Sequence, residues 1–348
     1  MGKGIVPFPP KGCIPMIFLQ QNSACNRRRR EANKIELWLS MNEHSHIEDC
    51  YIFVSCIFDG QHENEARDKI KELSKNNKVY VVGCFPDAFP NDVFPNVKMH
   101  SLFGFGKFLD DTFGLTVPLE SLPNNIVNNI PITSGCTWNC AYCAIKHGVG
   151  NKLISTPISK IDQMIENSSK NETLLLSGED TGLWGIDCNQ PFSQLTDLLK
   201  TKHTTFAFDN MTNEMFMINF DSLMELVNLN KLVQITVGLQ HFDNYVLSTM
   251  NRPEVDISKF VEAIKKLREK NVTVVVYLMC NFPSETRQHV EIQIEGIKTL
   301  KRMGVTFCLF NFHRKLNTTI PFADIDLEVR KKHFHDVFMA TQLMYSST

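Results

Sequence analysis

Short apolar runs alternate with amphipathic stretches along most of the chain. In the first third, runs at residues 15–19, 51–55 and 79–82 are separated by helical-period segments at about 28–41 and 63–73. That rhythm predicts a small parallel α/β sheet. Residues 110–129 break both periods, with Pro118, Pro123 and two Asn-Asn pairs, and read as a connector. Beyond it, apolar runs at 126–132, 173–176, 204–208, 232–237, 272–279 and 305–310 alternate with helical stretches. About six βα units of this kind predict a partial (β/α)6 relative of the TIM barrel. The expected organisation is therefore an α/β domain over 1–112, a connector over 113–128 and the partial barrel over 129–348. In both folds the loops that follow the strands converge on one edge, where ligands are expected. The sequence FGFGKF at 103–108 has no strand-to-helix context and is given no phosphate role.

Composition narrows the classes. With 348 residues, 43% hydrophobic and 21% charged, the chain has the profile of a globular protein. No apolar run approaches the roughly 18 residues needed to span a bilayer, and the proline-broken start shows neither a signal-peptide cleavage pattern nor the Ser or Thr of a myristoylation site. A cytoplasmic protein without membrane partners is expected. Eleven cysteines in such a chain point to metal or redox use rather than disulfides. A net charge of −2 supplies no global basic field for nucleic acid.

The cysteines carry the chemistry. Cys136, Cys140 and Cys143 stand as C-x3-C-x2-C within ITSGCTWNCAYC. Three thiolates so spaced suit three irons of a 4Fe-4S cubane and leave the fourth iron without a protein ligand. A zinc site completed by His147 is the competing reading. Cys25, Cys56 and Cys84 each follow one of the first three predicted strands, so the topology gathers them at one sheet edge as a second candidate triplet. Arg27 to Arg30, beside Cys25, oppose the dipole of the helix they begin. They read either as a solvated face or as cations facing a cluster or an acidic substrate. Cys13, Cys50, Cys188, Cys280 and Cys308 are given no site role.

With both triplets located, the chain resembles the radical S-adenosylmethionine (SAM) methylthiotransferases over almost its full length. Tyr142 stands where that superfamily usually has an aromatic, and SGEDTGLWG (177–185), VGLQHFDNYVLSTMNR (237–252) and NFPSET (281–286) are similar to family segments in the same order. The resemblance implies that Cys136, Cys140 and Cys143 hold the SAM-binding cluster and that Cys25, Cys56 and Cys84 hold an auxiliary one. It implies SAM contacts for Ser177, Gly178 and Glu179, and site roles for Tyr142, Gln240 and Glu285. The implied reaction replaces C–H by C–SCH3: a 5′-deoxyadenosyl radical removes the hydrogen, and the auxiliary cluster delivers the sulfur. A low-potential donor such as flavodoxin or ferredoxin would supply electrons.

Departures from the family bear on substrate. Asn281 and Ser284 replace glycines of the fifth-strand turn, which is expected to bar Gly-only backbone conformations there. Residues 313–320 read HRKLNTTI in place of a Pro-Arg-Pro-Gly-Thr type turn, and VSC at 54–56 replaces NTC. The family's C-terminal TRAM β-barrel has no counterpart before Thr348. With the near-neutral charge, that favours a peptide or small-molecule substrate over tRNA. Alternatives are tRNA adenosine methylthiolation, a radical SAM oxidoreductase whose auxiliary cluster only carries electrons, and a zinc-bound interaction protein.

Overall fold

A computed structural model describes residues 17–21, 26–42, 50–57, 60–89, 91–100, 105–122, 128–143, 152–168, 172–312 and 320–342. The chain divides into two compact units, Met1–Pro123 and Asn124–Thr348.

In the first unit, strands β1 (Ile17–Gln21), β2 (Cys50–Ser55), β3 (Lys78–Gly83) and β4 (Val97–Met99) form an all-parallel sheet in that order. The helices Asn26–Ser40 and Gly60–Ser74 make the crossovers. Strands β2 and β3 are apolar almost without a break, as suits parallel strands that bury side chains on both faces. Three strands and two helices match the pattern read from the sequence, whereas β4 was not foreseen; three residues are too few to show a period. The described part of the predicted connector holds the end of the helix Phe105–Phe113 and a 3-10 turn at Leu119–Ser121. Leu119 and Leu122 join the core around Ile35, Trp38 and Tyr80, and the Trp38 indole donates to Val117 O at 2.8 Å. This packing carries the first unit beyond residue 112.

The second unit is built on six parallel strands. After β5 (Asn129–Pro131) come a short antiparallel ladder of β6 (Thr133–Ser134) with β7 (Ile154–Ser155), then β8 (Leu174–Ser177), β9 (Phe206–Thr212), β10 (Leu232–Gln240), β11 (Thr273–Cys280) and β12 (Thr306–Asn311). The sheet runs β12-β11-β10-β9-β8-β5, every pair parallel, so it is an open partial barrel. Helices between the strands bury their apolar stripes on it, as Phe260, Ala263, Ile264 and Leu267 do from Ile257–Glu269. All six strands correspond to runs read from the sequence. The ladder of β6 and β7 escaped that reading because two-residue strands carry no periodicity. Among the described residues no helix is long and apolar enough to cross a membrane.

Candidate functional site at the carboxyl ends of the strands

Cys136, Cys140 and Cys143 lie on the loop that leaves β6, and the β6–β7 ladder clamps its base. Gly135, at φ 79°, starts the loop where a Cβ would fall 2.0 Å from Lys152 O. Three contacts hold the loop against the barrel. Glu179, just beyond β8, accepts from Gly135 N at 2.9 Å. Asp180 accepts from the Trp138 indole at 2.7 Å, and Met250 O accepts from Ala141 N at 2.9 Å.

Asp180 is fully buried and organises this edge. Its carboxylate also accepts from Thr212 Oγ1 at 2.7 Å, Thr212 N at 3.2 Å and Gly182 N at 3.1 Å. Burial raises its pKa and these hydrogen bonds oppose the rise. Arg252 plays a comparable part from the other side. Its guanidinium engages the Glu214 carboxylate, Asn213 Oδ1 and Gly238 O, and points Nη1 at Tyr142 OH (3.3 Å) and Cys140 Sγ (4.0 Å).

The donor set suits an iron-sulfur cluster. Burial pushes the Cys136 thiol up to about 12, and the neighbouring Cys143 and Cys140 sulfurs disfavour its thiolate further. A cationic metal centre offsets both penalties. Among the described residues no three Cys, His, Asp or Glu side chains converge as ligands of one ion. His147, the fourth ligand of the zinc reading, lies outside the described residues.

The other expected site residues collect at the same edge of the second unit. Ser177 ends β8 and donates to Asn129 Oδ1. Gly178 sits where a Cβ would lie 1.9 Å from Thr133 Oγ1, so the bend just after β8 approaches β6 too closely for a side chain. Gly178→Ala is expected to cost about 1–3 kcal/mol by forcing the two apart. A denaturation midpoint equal to wild type would contradict this crowding. Gln240 closes β10 at φ 72°, an uncommon backbone for glutamine. Asn281, after β11, adopts φ 67°. Asparagine tolerates this left-handed region, so the turn takes no glycine-only conformation at Asn281.

In the first unit, Cys56 follows β2 directly and Cys84 follows β3, at strand ends placed side by side by the Ser55–Gly83 pairing. Cys25 lies outside the described residues, as do residues 313–319, while β1 pairs in parallel with β2 up to Gln21 opposite Val54. Arg27 to Arg30 fall in the first turn of Asn26–Ser40.

Residues 130–295 match the model of the Radical SAM superfamily. The chain is 25% identical over 311 residues to a probable threonylcarbamoyladenosine tRNA methylthiotransferase of Methanocaldococcus jannaschii, covering 82% of this chain and 72% of that protein. It is 24% identical over 323 residues to the ribosomal protein uS12 methylthiotransferase RimO of Petrotoga mobilis, again covering 82% and 72%. These matches make the chain similar to the radical SAM methylthiotransferases. Against the mouse threonylcarbamoyladenosine tRNA methylthiotransferase, at 25% identity, it spans 50% of the relative's length. Among solved structures, the cobalamin-dependent SAM radical enzyme OxsB with aqua-cobalamin bound shares the fold at a TM-score of 0.53 and 9% identity, over 94% of this chain and 56% of that one.

Beside the family's fifth-strand turn lies a polar cluster that only the structure reveals. Glu285 accepts from Asn281 N at 3.1 Å and from the Cys280 thiol at 3.6 Å. His241 Nε2 and His333 Nδ1 approach its two oxygens at 3.7 and 3.8 Å, and among the described residues neither nitrogen has a hydrogen-bond partner. Burial pushes the Glu285 carboxyl up to about 7 and the His241 imidazole down to about 3. The signs oppose. Glu285 stabilises the fold in its protonated form, fully below about 4.5, and that contribution is lost as pH rises through about 7. Neutral His241 stabilises above about 6.5, and its contribution is lost as pH falls towards about 3. Glu285→Gln is expected to remove the loss on the alkaline side, so that the variant gains on the order of 3 kcal/mol over wild type between pH 4.5 and 8. Urea unfolding at the two pH values measures it; a constant difference between variant and wild type would refute the assignment.

Proposed function

We propose that this chain catalyses SAM-dependent methylthiolation of a tRNA adenosine, with Cys136, Cys140 and Cys143 holding a SAM-binding 4Fe-4S cluster and Cys25, Cys56 and Cys84 an auxiliary one. The observation that carries the reading is the three-thiol loop, clamped at its base by β6 and β7 and seated at the carboxyl edge of a parallel sheet. When bound, the two clusters and SAM supply the radical that abstracts hydrogen and the sulfur that replaces it.

The chain's own residues orient and enclose. Glu179 and Asp180 fix the loop to the ends of β8 and β9, and Arg252 fixes it to the end of β10. Met250, Phe282 and Phe312, all buried, pack with Tyr142 and keep water from that side of the loop. Ser177, Gly178, Glu179, Gln240 and Glu285 are proposed SAM-side residues, Glu179 holding a carboxylate where a cationic ammonium needs an acceptor. A flavodoxin- or ferredoxin-class donor would supply the electrons.

Two of the relatives named above carry tRNA in their names, which supports tRNA over the peptide or small-molecule substrate expected from the sequence. That expectation leaned on the position of the C-terminus, which decides nothing about substrate, and on the net charge of −2. The test is to incubate anaerobically reconstituted protein with SAM, dithionite and total tRNA, then digest the tRNA to nucleosides. An adenosine derivative heavier by CH2S is the expected product. Full iron loading and SAM cleavage with unmodified tRNA would overturn the substrate. An iron-free, zinc-bound protein would overturn the cluster assignment itself.

A further inference from the structure

We propose that Arg252 is a positioning residue that tunes the cluster on Cys136, Cys140 and Cys143, aiming a guanidinium N–H at the Cys140 sulfur and so setting how readily that cluster accepts an electron. This rests on the assignment of those thiols as its ligands. Arg252 is 5% exposed, and its side chain reaches the cysteine loop from beyond the helix Asn244–Thr249. Its fork is held from behind: Nε meets Glu214 Oε1 at 3.0 Å, and Nη2 meets Asn213 Oδ1 at 2.8 Å and Gly238 O at 3.2 Å. A planar guanidinium fixed at Nε and Nη2 has no freedom left at Nη1. That nitrogen faces Cys140 Sγ at 4.0 Å and Tyr142 OH at 3.3 Å.

Donors and positive charge beside a cluster sulfur stabilise the reduced, more negative state and raise the potential. Burial of the group strengthens the effect. Glu214 works the other way, since its carboxylate partly cancels the guanidinium charge. The two residues should therefore move the potential in opposite directions, a pattern that structural support alone would not produce.

The experiment is a mediated dithionite titration of the anaerobically reconstituted full chain, following the EPR signal that SAM perturbs. Dithionite is oxidised, the cluster gains one electron, and no bond forms or breaks. Arg252→Gln is expected to shift the midpoint to more negative potential, Arg252→Lys to fall between it and wild type, and Glu214→Gln to shift it to less negative potential. Should Arg252→Gln fail to retain iron, the lysine and Glu214 variants decide. An unchanged midpoint at full iron content, or a Glu214→Gln shift in the same direction as Arg252→Gln, would overturn the proposal. A wild-type protein without iron on these thiols would instead overturn the cluster assignment.

Discussion

Replacing Cys136, Cys140 and Cys143 together by alanine is expected to abolish reductive cleavage of SAM and to lower iron from about eight to about four atoms per chain. The loss should be complete rather than graded, because no protein side chain supplies a radical in the cluster's place. The fold should survive. The loop is attached through Gly135, Trp138 and Ala141, none of which the substitution touches. The reciprocal variant, with Cys25, Cys56 and Cys84 changed to alanine, should also keep about four irons, and should cleave SAM without transferring sulfur. Iron and sulfide assays together with 5′-deoxyadenosine quantification measure both. Retention of all iron in either triple variant would show that those thiols are not ligands.

Asp180→Ala is expected to be the most destabilising single change at the site. The carboxylate satisfies the Trp138 indole, the Thr212 hydroxyl and the backbone amides of Thr212 and Gly182. Removing it strands four donors at a fully buried position. At about 1–3 kcal/mol for each buried donor left unpaired, and with water entering the space to recover part of the loss, a net cost of about 3–5 kcal/mol is expected. Asp180→Asn should cost less, because its amide oxygen still accepts from part of the set. The loop carrying Trp138 also holds the three thiols, so Asp180→Ala should lose iron on desalting more readily than wild type. Denaturant unfolding and iron retention are the measurements. Wild-type values in both would show that water replaces the carboxylate without consequence.

The sequence exposed those parts of the two candidate sites, one in each unit, that spacing or phase can encode. Three thiols within eight residues are visible to the eye, and Cys56 and Cys84 follow from strands whose ends pair in register. Glu179 was singled out as a residue facing SAM, and the structure gives it a further contact, to Gly135 N. Asp180, beside it in the same motif, carried no signal of its own because a buried acid looks like a surface acid until its partners at Trp138 and Thr212 are placed. Arg252 was visible only as the last letter of a motif, and Glu214 lies 38 residues from it in sequence. His241, in the loop after β10, and His333, on the helix Leu327–Gln342, meet Glu285 from places that no periodicity connects. Asn281 takes left-handed backbone, a region asparagine shares with glycine, and the sequence alone did not reveal it.

The distance along the chain between the cysteines and their supports has a consequence for biogenesis. Cys140 and Arg252 are separated by 112 residues, and Trp138 waits for an aspartate 42 residues downstream. During synthesis the thiols emerge well before the strands that array them, and parallel pairings at such separation form slowly. On the proposed cluster assignment, iron loading is expected only after β10 and Arg252 are in place. Until then the nascent chain carries exposed thiols open to oxidation.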